Sequence, residues 1–346
     1  MKRSFIPIVI IAVLLVGCEV ETGPEDQTDT GGDRLWVVDQ PASQILVYEL
    51  DGTLLYEVGG FPEFIQPNGV DVYRADGSAW VIDFYADTLT KFDRDGNKLF
   101  QTAPPGDEEP RLRQPTSLAV NQNDGSVWVA DYIHKRVVRF DENGGVIGMI
   151  SGFSLPRSVS IAGGTGDCWV SDEGTDSLYL FDGDLTYRAN IVDAKLTVGG
   201  FNTPRFIKGL ADGGCLVLDI GNDELVHVGP NGVVVATVTG FGTPTSVAPS
   251  PADDVLLVTD ALYGAVFAID AEVTGTSSLN TVSTVFVDGI LNPTHVSVDR
   301  DRGHVFVTET GEDRVVEYDA ETGEVVLEYG PLEGPIATAL YFDRTD

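Results

Sequence analysis

The sequence predicts an all-β protein, a β-propeller of four-stranded blades. Three observations predict it. First, an acidic residue closes a short β-like run seven times, at Asp39, Asp83, Asp131, Asp172, Asp219, Asp260 and Glu309, with 41 to 49 residues from one to the next. Second, the positions around each acid repeat with it. Valine stands two residues before all seven, and Trp36, Trp80, Trp128, Trp169, Leu216, Leu257 and Phe306 stand three before, so all four tryptophans of the 346-residue chain share one repeat position. Third, no segment sustains the 3.6-residue apolar spacing of an amphipathic helix. Units of about 40–45 residues, each made of four short strands, are the signature of propeller blades.

Within a unit the strands follow in order. Strand A follows a proline, at Pro67, Pro115, Pro156, Pro204, Pro244, Pro293 and Pro335. Strand B is the run that ends on the acid. Strand C alternates toward Tyr48, Phe92, Phe140, Phe181, Val228, Ile269 or Tyr318, nine residues after the acid. A turn such as Asp93-Arg94-Asp95-Gly96 leads into strand D, with Asp and Gly supplying the turn conformations. The first unit opens at strand B (Leu35-Trp36-Val37-Val38), whereas Pro335 to Asp343 match strand A with nothing after. Pairing of this C-terminal strand with the N-terminal blade closes the ring and removes two sheet edges. The expectation is one propeller over residues 34–346 with seven blades, six being the alternative.

Ahead of it, Met1-Lys2-Arg3 and the apolar run Phe5 to Val16 have the shape of a secretory signal, too short for a bilayer span of about 20 residues. The run closes on Leu15-Val16-Gly17-Cys18, which resembles the lipobox of bacterial lipoproteins. The resemblance implies cleavage after residue 17, lipidation of Cys18 and anchorage to a cell-envelope membrane, facing the periplasm or the exterior. Residues 18–33 are acidic and small, too poor in apolar surface to order themselves, and are expected to be a disordered tether.

The repeat unit itself resembles the NHL repeat, in which a proline and an apolar pair precede G-x-x-[WV]-V-x-D and R-V-x-x-F-D. The fullest match runs from Gly125 to Asp141, with Val129, Asp131, Arg136, Val137, Phe140 and Asp141 in register. Blades 5 and 6 depart from it, carrying Val228-Gly229 and Ile269-Asp270 where the aromatic–Asp pair belongs. Propellers of this kind are more often six-bladed. They include enzymes, ligand binders and scaffolds, so the fold alone does not choose a function.

A residue present in every blade serves the blade. The seven anchor acids are therefore expected to accept backbone N–H groups of the B–C loops. Departures from the repeat carry more information. The second and fourth positions after the strand-A proline are mostly Gly, Ser or Ala, which suits a crowded inner wall. Asp71, Phe206, Lys208 and His295 break that rule, and with Asn68 they are the candidate channel residues. On the face where strand A starts, blades 3 to 5 gather Arg111, Arg113, His134, Lys135, Arg157 and Arg205. The last two each follow the strand-A proline, in neighbouring blades. A guanidinium pair suits bidentate capture of carboxylate, sulfate or phosphate, and pairing with nearby acids is the alternative. The candidate ligand-binding set is Arg111, Arg113, His134, Arg157, Arg205 and His295. Cys168 and Cys215 hold equivalent positions in consecutive blades, so two buried thiols are expected rather than a disulfide. Residues 103–114 and 271–281 lengthen blades 2 and 6, and the second insertion, on the opposite face, is expected to be filler.

With 54 acidic against 21 basic residues the formal net charge is −33. Such a surface repels nucleic-acid phosphates and anionic headgroups, which excludes nucleic acid as a partner. No G-x-S-x-G, H-E-x-x-H or C-x-x-C motif is present. The four histidines, at 134, 227, 295 and 304, do not form a converging metal set. No cofactor is predicted. Calcium stays open, because Pro67-Asn68-Gly69 with Asp71 resembles one element of calcium-dependent lactonase-like propellers. Three functions remain. The favoured one is a membrane-tethered module that binds a protein or an anionic small molecule or glycan. The others are a metal-dependent lyase or lactonase and a structural scaffold in an envelope complex.

Overall fold

Seven antiparallel sheets account for the repeats in the computed structural model, which describes residues 32–102, 111–183 and 196–342. The signal segment, Cys18, the tether up to residue 31 and most of the 103–114 insertion lie outside the described residues. Strand A is Pro67–Val72, Pro115–Val120, Pro156–Ile161, Pro204–Gly209, Pro244–Pro249 and Pro293–Asp299 in blades 2 to 7. Strand B follows as Ala79–Asp83, Val127–Asp131, Cys168–Asp172, Cys215–Asp219, Val255–Asp260 and His304–Glu309. Strands C and D complete each sheet outward in the order A-B-C-D.

Blade 1 is assembled from both ends of the chain. Pro335–Tyr341 supplies strand A and pairs antiparallel with strand B, Arg34–Asp39, placing Ala339 opposite Trp36 and Leu340 opposite Leu35. The count is seven blades and the alternative of six falls.

Apolar contacts join each blade to the next. Trp36, Trp80, Trp128 and Trp169 are at most 1% exposed. Each packs into the following blade: Trp36 against Val81 and Phe92, Trp80 against Val129 and Phe140, Trp128 against Val170 and Phe181, and Trp169 against Val217 and Val226. Leu216, Leu257 and Phe306 take the same place at the remaining three junctions. Burial of one such indole is worth about 3–5 kcal/mol by truncation, so the repeated position is the glue of the ring. Cys168 and Cys215 are both free and fully buried, as two small apolar groups.

The anchor acids do more than their sequence position suggested. In every blade the acid stands opposite the strand-A proline. Asp83 accepts the N–H groups of Tyr85 and Ala86 in its own B–C loop, and also those of Ile65 and Gln66 in the loop entering strand A. Asp260 does the same with Leu262 and Tyr263 on one side and Gly242 and Thr243 on the other. One carboxylate therefore fixes two loops, because it sits where both cross the top face.

The 271–281 insertion is not filler, which corrects the sequence reading. Gly275–Ser278 forms a strand that pairs parallel with Val234–Thr239, adding a fifth strand to the outer edge of blade 5 before the chain returns to blade 6. The reason is geometric: the outermost strand of blade 5 offers an open edge, and the longer loop reaches it. Helix is confined to Leu279–Val282 and two single 3-10 turns among the described residues.

Candidate functional site

Strand A from all seven blades lines one axial cavity of about 610 Å³. Its upper mouth is shaped by a bulge. The residue after each strand-A proline falls at a register shift, so that it has no partner on strand B and turns toward the mouth. At most junctions a short polar side chain there ties one blade to the next. Asn68 Nδ2 donates to the carbonyl of Pro115 (3.2 Å), Thr116 Oγ1 to that of Arg157 (2.8 Å) and Thr245 Oγ1 to that of Pro293 (2.8 Å). Blades 4 and 5 carry Arg157 and Arg205 instead, and the belt of short polar ties is interrupted there.

The two guanidinium groups converge on one carboxylate. Glu173 Oε2 lies 3.5 Å from Arg205 Nε and 4.0 Å from Arg157 Nε, and Tyr132 donates its hydroxyl to Glu173 Oε1 at 3.0 Å. Burial, then that bond to Glu173, holds the Tyr132 phenol above its ordinary range. Two cations against one anion leave a positive excess at the mouth, with Arg205 half exposed (52%) and Glu173 nearly covered (11%). The pairing alternative raised by the sequence is thus half met: the arginines have an acid, but only one between them.

Deeper in the cavity stand Asp71, Lys208 and His295. Asp71 accepts the backbone N–H groups of Val72 (2.9 Å) and Val120 (2.8 Å) on its two oxygens. Burial raises its pKa, opposed by those bonds and by the Lys208 charge. Lys208 is open to the cavity's solvent yet ringed by protein. That enclosure lowers its pKa, with Asp71 opposing and Arg74 and Arg300 adding to the fall. His295 Nδ1 is 3.2 Å from Thr338 Oγ1, and burial with the nearby Lys208 charge brings its pKa down to about 4, so the ring is neutral at pH 7. Phe206 supplies an apolar stretch of wall.

Arg74 and Arg300 line the lower end and were missed from sequence. Both stand seven residues after a strand-A proline, where the other blades have Gln122, Gly163, Ala211, Pro251 and Phe342, so the repeat alignment held the signal. Arg300 is clamped by Asp253 through both terminal nitrogens at 2.5 Å. The cavity wall therefore carries Arg74, Arg157, Arg205, Lys208 and Arg300 against a single lining carboxylate, Asp71.

The rest of the sequence-derived set does not join them. His134 Nδ1 turns onto Asp131 (2.9 Å), and Arg113 gives its backbone N–H to the same acid. The carbonyl of Arg111 accepts from Arg136, which also holds Asp131. These residues, with Lys135, stay in the loops of blade 3 and do not line the cavity. Around the Asn68–Asp71 element both Asp71 oxygens accept N–H groups, Asn68 donates through its amide nitrogen while its Oδ1 is buried without a hydrogen-bond partner, and the neighbouring charge is the Lys208 ammonium. Among the described residues no group of three His, Cys, Asp or Glu side chains is gathered to hold a metal.

Fold and channel together define a seven-bladed β-propeller with a cation-lined axial cavity. The family model of the NHL repeat matches residues 112–140, so the chain is a propeller carrying an NHL repeat in blade 3. No curated protein matches the sequence significantly. Among solved structures it is similar to a catalytically inactive virginiamycin B lyase from Staphylococcus aureus with quinupristin, at 16% identity and TM-score 0.60 over 77% of this chain and 84% of that one. It is similar also to a functionally unknown protein from Desulfotomaculum acetoxidans, at 12% identity and TM-score 0.71 over 89% and 99%. A streptogramin B lyase matches at 13% identity and TM-score 0.61 over 80% and 93%. At these identities the likeness is one of fold.

Proposed function

We propose that this protein is an envelope-tethered binding module whose channel mouth takes a small anionic ligand. The supporting observation is an inversion of charge. A chain with 54 acids and 21 bases lines its axial cavity with five cations and one acid. In a narrow, protein-walled channel such charges act in a lower dielectric than at the surface, and their attraction for an anion is correspondingly larger. Arg157 and Arg205 are the capturing pair, the ligand's acid competing with Glu173 for them. Cys18 supplies the lipid anchor, and the acidic tether lets the domain stand off the membrane. The enzyme alternative rests on fold likeness alone.

Calorimetric titration of phosphate, acetate and a digalacturonate into the purified protein tests this. Binding is expected for the wild type. Each charge-assisted hydrogen bond is worth about 1.5–3 kcal/mol, so Arg157→Ala with Arg205→Ala is expected to weaken affinity at least about tenfold. Unchanged affinity in the double charge reversal, Arg157→Glu with Arg205→Glu, would sink the reading.

A second reading, protein docking on the same face, is favoured by the exposed side chains of Phe61, Tyr85, Ile133, Leu262, Tyr263 and Leu291. All six lie on loops of the top face. Tyr85→Ser with Tyr263→Ser is expected to abolish capture of a protein partner by that face while leaving anion affinity unchanged.

A further inference from the structure

We propose that the ligand is an elongated anion with two acidic groups, one held at the mouth by Arg157 and Arg205 and the other by Lys208 inside the channel. The inference rests on the anion-binding reading and adds to it the length of the ligand and a second acid. Arg205, Phe206 and Lys208 are the first, second and fourth residues after Pro204, all on one strand and all on the cavity wall. At about 3.3 Å per strand residue, Lys208 lies roughly 10 Å below Arg205.

Of the five lining cations, Lys208 and Arg74 have no acidic partner among the described residues, and Lys208 is the one that shares a strand with Arg205. Its ammonium has no hydrogen-bond or ion-pair partner among the described residues, whereas Arg157 and Arg205 have Glu173 and Arg300 has Asp253. Asp71, the lining carboxylate, stands beyond ion-pair distance, with both oxygens taken by Val72 and Val120. An ammonium that faces the channel's solvent without a partner is free to take a ligand carboxylate as a charge-assisted contact. Between the two stations the wall changes character. Phe206 is half-buried and apolar, and His295 is neutral, so the stretch separating the cations suits an uncharged spacer.

The dimensions set the spacer. A cavity of about 610 Å³ spread along six strand residues, about 20 Å, has a mean cross-section of about 30 Å². That admits an extended chain. Extended chains advance about 1.2 Å per bond, so a gap of about 10 Å is bridged by a chain of roughly eight bonds. Suberate has that length; succinate does not.

Titration of the full-length protein with octanoate, succinate, suberate and dodecanedioate tests the proposal. Suberate is expected to bind at least about tenfold more tightly than octanoate or succinate, since only it places a second charge-assisted contact at Lys208. Lys208→Met is expected to remove the gain of suberate over octanoate, and Lys208→Arg to keep it. Equal affinities for octanoate and suberate, both lost in Arg157→Ala with Arg205→Ala, would overturn this inference and leave the anion reading standing. Absence of binding by every carboxylate would overturn both. The chain-length series on the wild type decides the matter without a variant, should Lys208→Met fail to fold.

Discussion

The backbone N–H of Glu333 donates to a carboxylate oxygen of Asp39 at 2.9 Å, joining residues 294 apart in the sequence. The bond belongs to the seam at which Pro335–Tyr341 enters blade 1. Six residue pairs of that strand cross the seam, and the apolar cluster of Leu35, Val37, Phe306, Leu340 and Phe342 covers it. Deletion of residues 335–346 is expected to abolish cooperative unfolding and to produce soluble aggregates, because strand B of blade 1 loses its inner partner and exposes an edge. Circular-dichroism melting and size-exclusion chromatography check this. A sharp melt of the truncated monomer would contradict the seam's role.

Asp260 offers a second test, since its carboxylate accepts four backbone N–H groups, at 2.7 to 3.1 Å. Asp260→Ala leaves those donors unmet in a buried place, and hydrogen bonds to charged groups are worth about 1.5–3 kcal/mol each before relaxation. A loss of about 3–5 kcal/mol is expected in urea unfolding. Asp270→Ala, in an exposed turn with a single bond to the Glu272 N–H, is expected to lose far less.

His295 gives stability a pH dependence of defined sign. Its folded pKa, about 4, lies below the ordinary value of 6.5, so between those limits the unfolded chain binds the proton and the folded chain does not. Its contribution is intact above 6.5 and is lost as the pH falls toward 4. Wild-type protein is therefore expected to lose stability more steeply than His295→Gln between pH 6.5 and 4.5. Urea midpoints at the two pH values measure the difference.

The two buried thiols are expected to be inert in the folded protein. Burial pushes both Cys168 and Cys215 well above the ordinary thiol range, which withholds the thiolate that reacts. Ellman's reagent should detect neither in native protein and both after unfolding without reductant. Rapid native labelling of either would contradict the packing described.

How much was legible in the sequence follows from where each signal lies. Trp36 and its equivalents were readable because every blade repeats the same contact with its neighbour. Arg157 and Arg205 were readable as departures at one repeat position. Arg74 and Arg300 satisfy the same criterion but fall after strand A ends, outside the period-two pattern of its wall positions. The double role of Asp83 and Asp260 was hidden, since the loop entering strand A meets the acid only through pairing. His134 misled because an imidazole near the top face can be spent on its own anchor acid, here Asp131. The strand Gly275–Ser278 lacks large β-forming side chains, and only the open edge beside it makes it a strand.

That strand also changes what blades 5 and 6 are to each other. They are the two blades with leucine in place of the tryptophan, Leu216 and Leu257, and the two without the strand-C aromatic, having Val228 and Ile269 there. A segment leaving blade 6 hydrogen-bonds to the rim of blade 5, so neither can swing away alone. Under mechanical load, or in a circularly permuted chain, the pair behaves as one double-width module. A new chain start placed within 271–274 would cut the strap where the blades depend on it most.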